Sequence, residues 1–264
     1  TLLTSAPRRF MHIALLAPGG IEFLPDHAYT TAATSIAIAA RLGWSRADVR
    51  LAGLTGLLAD VGMGLVPRRI RIAERPLNDV EVNRIRRHPT FSVFLLECVQ
   101  QLPEGVRRAA FQHHERGDGR GYPRGLNADQ ISDLALVVAI ADAYAAAIEP
   151  RPYKPRLRPF DAIRELIRFC DAGRFDRAAL RALVESVGIF PVGSYVQLES
   201  GDLAQVIAAP VTGVDRPVVA PLRPAPDGWN QGRHLDLAAP AHQHLAIRRA
   251  IDPPDALLGL QQAV

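Results

Sequence analysis

Cysteine and long apolar runs are both scarce in this 264-residue sequence. Cys98 and Cys170 lie far apart, each in a helix-like apolar stretch without a CxxC partner. That excludes a disulfide scaffold and a thiolate zinc module, and it reads as two reduced, buried thiols. No apolar run reaches the roughly 20 residues of a membrane helix. The opening Ile13–Ala17 run is cut off by Pro18, Gly19 and Gly20. A strong excess of one charge is also missing, since 31 basic against 27 acidic residues leave +4. A mildly basic chain suits an anionic ligand such as a phosphate ester without arguing for nucleic acid. The arginine groups Arg68, Arg69, Arg71 and Arg84, Arg86, Arg87 interleave with apolar residues and few aromatics, so they read as a solvated face. The expected location is the cytoplasm. The chain begins at Thr1 rather than Met, so it reads as a processed or excised fragment with a sensory domain expected upstream.

The pattern along the chain is mostly helical. Residues 1–25 show no period and read as an irregular lead-in. A helical domain is expected over 26–190. Its first helix runs from Asp26 to Leu42 and stops at Gly43. Ser45 with Asp48 caps a second helix running to Asp60, apolar all round and therefore buried. Asn78 and Glu81 form a capping box for a polar helix ending near His88-Pro89. Helices are expected over Thr90–Gln101, from Pro103 to His114, over Asp129–Ile148 (buried), and over 160–171 and 175–188. Gly117–Gly125 reads as a shaped loop. Residues 191–264 read as an appendage, with a β-hairpin turning at Ser200-Gly201-Asp202 followed by a loosely structured tail.

Polar residues stand where they are costly. Asp60 ends one apolar helix and Asp142 sits inside another. A buried carboxylate without a partner costs several kcal/mol or so, and neither helix offers a Lys or Arg one turn away. His113 and His114 are adjacent at a helix end, His88 marks another helix end, and His27 lies near the start of the first. Four imidazoles and two buried carboxylates suit borderline divalent ions such as iron, manganese, nickel or zinc. His234, His242 and His244 take no role.

The run His113-His114-Glu115-Arg116-Gly117-Asp118-Gly119-Arg120-Gly121-Tyr122-Pro123-Arg124-Gly125-Leu126 resembles the long signature of HD-GYP domains almost residue for residue. The match extends to Leu58–Met63 (the family's HD-x-GK helix end), Asn78–Pro89, Ala141–Tyr144 and Arg151–Lys154 (its RPY segment), and it covers about residues 26–190. The resemblance implies an HD-domain helical bundle with a small C-terminal β appendage. It implies metal-assisted hydrolysis of cyclic di-GMP to pGpG or GMP. His27, Asp60 and Asp142 would serve one metal. His88, His113 and His114 would serve the other, with Asp60 bridging as the catalytic carboxylate. Arg151 and Lys154 would hold ligand phosphates, with Tyr122 beside the ligand. The loop at Gly121, Tyr122 and Pro123 resembles a docking surface for a diguanylate cyclase domain. A second copy of this chain is a further candidate partner.

The departures matter as much. Ala59 stands where the family has the histidine of its HD pair, and Met63 where it has lysine. Phe23 stands where three-metal members carry a glutamate, with Glu22 beside it, which points away from a trinuclear site. The expectation is one fully ligated position for iron or manganese, with nickel or zinc as alternatives, and one weakened position. Three functions remain open. The first is a degenerate HD-GYP protein that is weakly active or inactive and works by binding ligand or partner. The second is an active cyclic di-GMP phosphodiesterase. The third is a hydrolase of another phosphoester.

Overall fold

The structure, a computed structural model, describes residues 23–149, 157–210, 213–225 and 228–254. Helix α1 (Phe23–Arg41) turns at Gly43, whose φ of +75° favours glycine, into α2 (Arg46–Leu58). The Ser45 hydroxyl caps α2 by accepting from the Asp48 N–H at 3.2 Å. The two backbones approach closely because α2 presents glycines to α1. A Cβ on Gly56 would lie 2.8 Å from Ala32 Cα, and one on Gly53 would lie 2.6 Å from Ile36 Cδ1. Each mid-helix glycine costs about 1 kcal/mol relative to alanine, and close packing offsets it.

This geometry corrects the expectation that α2 is buried all round. Its buried residues are Ala52, Gly53, Thr55 and Gly56, whereas Leu57 is 49% exposed. Leu51, Leu54 and Leu58 pack half-buried against Leu96, Leu102, Val106 and Ala110. The helix also stops at Leu58, so Asp60 lies just beyond it, ahead of a 3-10 turn over Val61–Leu65 and a short α3 (Arg68–Arg71).

Asn78 and Glu81 form the expected reciprocal cap of α4 (Asp79–Ile85). Helix α4 stops at Ile85, however, and His88 opens the next helix, α5 (His88–Glu97), with Pro89 in its first turn where no N–H is needed. Helix α6 (Glu104–Gln112) ends on His113 as its C-cap. A 3-10 turn over Ala128–Gln130 precedes α7 (Asp133–Ile148), so the expected helix begins later. Helix α7 is central and buried. Its Val137, Ile140, Ala141 and Tyr144 join Ala33, Ala37 and Ile38 of α1 with α8 (Pro159–Asp171) and α9 (Arg177–Val187) in the main core.

Strands β1 (Tyr195–Leu198) and β2 (Leu203–Ala208) form the expected hairpin. The segment read as a loose tail instead supplies β3 (Val218–Ala225), β4 (Gly228–Gln231), β5 (Leu235–Asp236) and β6 (Ile247–Ile251). The antiparallel sheet runs β4-β3-β2-β1-β6, with β5 also on β3. Strand β6 returns to β1, pairing Val196 with Ala250. Such distant pairing leaves no local periodicity to read. Arg216 ties the return loop by donating to the carbonyls of Leu237, His242, Gln243 and Leu245. The architecture is thus mostly helical with a small C-terminal sheet, as expected. Cys170 is buried but Cys98 is exposed, which corrects half of that expectation. Among the described residues, no helix is long and apolar enough to cross a membrane.

Candidate metal centre

Six side chains far apart in sequence meet between these helices. They are His27 of α1, Asp60 just past α2, His88 at the start of α5, His113 and His114 at the end of α6, and Asp142 of α7. Their donor atoms fall into two groups, each within 4.8 Å. One holds Asp60, His88, His113 and His114, and the other holds His27, Asp60 and Asp142. Asp60 belongs to both.

Local structure fixes each donor. The Nδ1–H groups of His88 and His113 donate to the carbonyls of Ile85 (2.8 Å) and Ala110 (2.7 Å). In a neutral imidazole this leaves Nε2 as a lone pair, and the two Nε2 atoms face each other at 3.3 Å. Asp60 Oδ1 is 2.9 Å from His88 Nε2 and 3.3 Å from His113 Nε2, yet it is buried and accepts no hydrogen bond. Three converging electron-rich atoms in a buried site repel unless a cation lies among them. Histidines held by carbonyls through the opposite nitrogen are the usual outer arrangement of a metal site. The donor set therefore fits a divalent transition metal.

The second group centres on His27. Its Nε2 lies 2.9 Å from Asp142 Oδ1 and 3.4 Å from Asp60 Oδ2, and its Nδ1 lies 2.8 Å from Glu149 Oε2. Burial alone would push the His27 pKa down, but hydrogen bonds to Asp142, Asp60 and Glu149 outweigh it and hold it well above the ordinary value. Burial likewise pushes Asp60 up, and the imidazoles of His113, His27 and His88 around it bring it well below the ordinary carboxylate range. Asp142 is lowered in the same way, burial being outweighed first by His27. His113 is raised, because Asp60 overcomes its burial. Burial and the neighbouring His113 keep His114 well below its ordinary value, which favours its neutral, ligating form. Raised His27 and His113 thus face lowered Asp60 and Asp142.

The neighbouring positions are now defined. Ala59 is 2% exposed and offers only a methyl group. Met63 packs in an apolar cluster with Val66 and Ile70. The Tyr122 ring stacks 4.6 Å from that of His114, and the Tyr122 N–H donates to the His114 carbonyl at 3.1 Å. Burial, then the charges of Asp142 and Asp60, push the Tyr122 hydroxyl well above its ordinary value. Gly121 and Pro123 flank it on a half-buried to exposed loop. Arg151 and Lys154 lie outside the described residues.

Sequence reasoning missed three contributors. The buried carboxylate of Glu115 accepts from the N–H groups of Arg124 (2.7 Å) and Leu126 (2.9 Å), which shapes the loop. The Ser92 hydroxyl donates to the Ala59 carbonyl at 2.6 Å and accepts from the Gly62 N–H at 2.9 Å, clamping the Asp60 turn to α5. Glu149 holds His27. Only Glu149 left a trace in the sequence, seven residues after Asp142 and so near the same face of α7.

This bundle, with a two-group His/Asp centre, is the arrangement of an HD domain. A family model described as HD domain matches residues 13–179. The chain belongs to that family, within its HD-GYP branch. Among curated relatives, "Cyclic di-GMP phosphodiesterase PA4108" of Pseudomonas aeruginosa is 41% identical over 186 residues, 70% of this chain and 44% of the relative. "Cyclic di-GMP phosphodiesterase PdeB" of Borreliella burgdorferi is 26% identical over 182 residues, 69% of this chain and 47% of the relative. The chain therefore spans about half the length of these relatives. The solved structure "Bd1817, a HDG"Y"P protein from Bdellovibrio bacteriovorus" overlays with a TM-score of 0.51 at 22% identity, covering 61% of this chain and 51% of that one. That overlay concerns the fold alone.

Proposed function

We propose that this chain is a cyclic di-GMP-recognising HD-GYP protein that turns its ligand over weakly or not at all and acts by binding ligand or partner. The observation that carries this reading is the asymmetry of the centre. One group has four donors and the other three, and by resemblance position 59, alanine here, is where a fourth would stand. Names of relatives as cyclic di-GMP phosphodiesterases support the ligand class. In this reading Asp60, His88, His113 and His114 hold one divalent ion, iron or manganese ahead of nickel or zinc. His27, Asp60 and Asp142 hold a second, weaker one. Ions bound there lower the pKa of water and neutralise phosphate charge.

The chain's own residues do the rest. Asp60 would serve both positions. Carbonyls orient His88 and His113, and Tyr122 forms the wall beside His114. Arg151 and Lys154 are assigned to the ligand phosphates by resemblance. The helical domain over 26–190 would be the recognition unit, with 191–264 as its appendage. The Gly121–Pro123 loop would be a docking site for a diguanylate cyclase domain. The protein would act in the cytoplasm.

An active phosphodiesterase is the second reading, favoured by one observation. Three protein donors plus an open position is how many catalytic metal sites are built. Cyclic di-GMP binding and turnover are measured with iron(II) or manganese(II) under anaerobic conditions, for the native protein, Ala59→His and Asp60→Ala. Binding without turnover, with activity gained in Ala59→His, is expected. Turnover by the native protein that Asp60→Ala abolishes establishes the second reading instead. No binding at saturating manganese refutes both.

A further inference from the structure

We propose that Glu149 is a positioning residue for His27, and that it allows the three-donor half of the centre to hold a cation without an imidazole at position 59. The inference rests on the metal-binding reading above. An imidazole ligand works only if one ring nitrogen presents its lone pair to the ion in a fixed direction. The His27 ring is caught from both sides. Its Nδ1 lies 2.8 Å from Glu149 Oε2, and its Nε2 points to Asp142 (2.9 Å) and Asp60 (3.4 Å). The opposite nitrogens of the other two fixed histidines, His88 and His113, donate to backbone carbonyls. Of these three, His27 is the one with a carboxylate in that place. A carboxylate outranks a carbonyl as an acceptor, because a charged partner roughly doubles the strength of a hydrogen bond. It therefore both locks the tautomer, with the proton on Nδ1, and makes Nε2 more electron-donating.

Glu149 is not a ligand in this arrangement. It touches the nitrogen facing away from Asp60 and Asp142, on the far side of the ring from the other two donors. Its position follows from the fold. Helix α7 ends at Ile148, and Glu149 caps it with extended backbone, its carboxylate meeting His27 of α1 at 2.8 Å. The carboxylate is largely buried, and its second oxygen, Oε1, is buried without a hydrogen-bond partner. Burying a carboxylate is expensive, and holding His27 is the interaction that repays it here. The half of the centre with fewer donors is thus the half whose histidine has the strongest outer support.

The test is manganese(II) binding by the full chain, followed by calorimetry and by loss of the free-ion electron paramagnetic resonance signal. The variants are Glu149→Ala, Glu149→Gln and Glu149→Asp, with circular dichroism confirming that each is folded. The native chain should bind two ions with distinct affinities. Glu149→Ala should weaken the lower-affinity ion about 10- to 100-fold and leave the tighter one unchanged. Glu149→Gln keeps an acceptor but loses the charge, so it should fall between the two, and Glu149→Asp should recover part of the loss. A purely structural role would lower both affinities together or neither. If the folded Glu149→Ala and Glu149→Gln variants bind both ions as the native chain does, the positioning role is wrong and the metal reading stands. If the native chain binds no more than one ion at millimolar manganese, the two-position reading fails and this inference falls with it.

Discussion

Replacing Gly62 by alanine probes the join that sets the whole centre. Gly62 follows Asp60 by two residues and lies flat against the start of α5. A Cβ there would sit 2.2 Å from the His88 carbonyl oxygen, 2.4 Å from the Ser92 nitrogen and 2.8 Å from the Ser92 hydroxyl. Two of these are backbone atoms, so no side-chain rotation relieves the clash. Forced overpacking of this kind costs about 1–3 kcal/mol. Separating the two segments also strains the Ser92 clamp to the Ala59 carbonyl and the Gly62 N–H, and buried polar groups left unpaired add about 1–3 kcal/mol. A total of about 2–6 kcal/mol corresponds to a fall in Tm on the order of 10 °C for a chain of this size. The displaced atom is the carbonyl of His88 itself, so the distance from His88 to Asp60 must change as well. Manganese affinity at the four-donor position should fall about tenfold or more. Thermal melts by circular dichroism and calorimetric titration read the two effects. Ser92→Ala is the companion, losing the clamp without the clash, and it should show a smaller fall. A Gly62→Ala protein with native Tm and native manganese affinity would refute the close approach and the reasoning built on it.

Glu115→Ala removes a buried carboxylate that accepts two backbone N–H groups, worth about 1.5–3 kcal/mol each. Limited trypsin digestion should then cleave faster at the exposed Arg120 and Arg124, while the far helices remain protected. The pH dependence of the metal-free, chelator-treated protein follows from opposite shifts. His27 is raised, so its contribution is complete below its unfolded value of about 6.5 and is lost as pH climbs through the folded value. Asp60 is lowered, so its contribution is complete above its unfolded value of about 3.8 and is lost as pH falls through the folded value. The Tm contributed by these two groups should therefore be greatest between roughly pH 4 and 6.5 and decline on the alkaline side. Excess manganese should reverse the alkaline decline, because the ion takes the place of the protons. A metal-free Tm that rises steadily from pH 6 to 9 would contradict the assignment.

The centre divides cleanly into what local sequence encodes and what it does not. Asp142 within an apolar helical run, the adjacent His113 and His114, and the long signature through Leu126 pointed from sequence alone to an HD-GYP domain with candidate metal ligands. Capping at Ser45 and Asn78 was legible for the same reason, since a cap is a contact between residues three apart. The end of α4 was not. Whether His88 closes one helix or opens the next depends on the turn that lets Nδ1 reach the Ile85 carbonyl, and on α5 packing against the Asp60 turn. The exposed face of α2 was equally hidden, because its glycines are buried by α1, which lies before it in the chain. Strand β6 escaped notice because it pairs with a strand far back in the chain, Tyr195 of β1 meeting Ile251.

By itself, then, the sequence pointed to six candidate donors and the chemistry they suit, because residue type and spacing are local properties. Only the tertiary structure decided that Ser92 and Gly62 hold the Asp60 turn against α5 and that Glu149 meets His27. Each of those depends on distances across helices that the chain order does not contain.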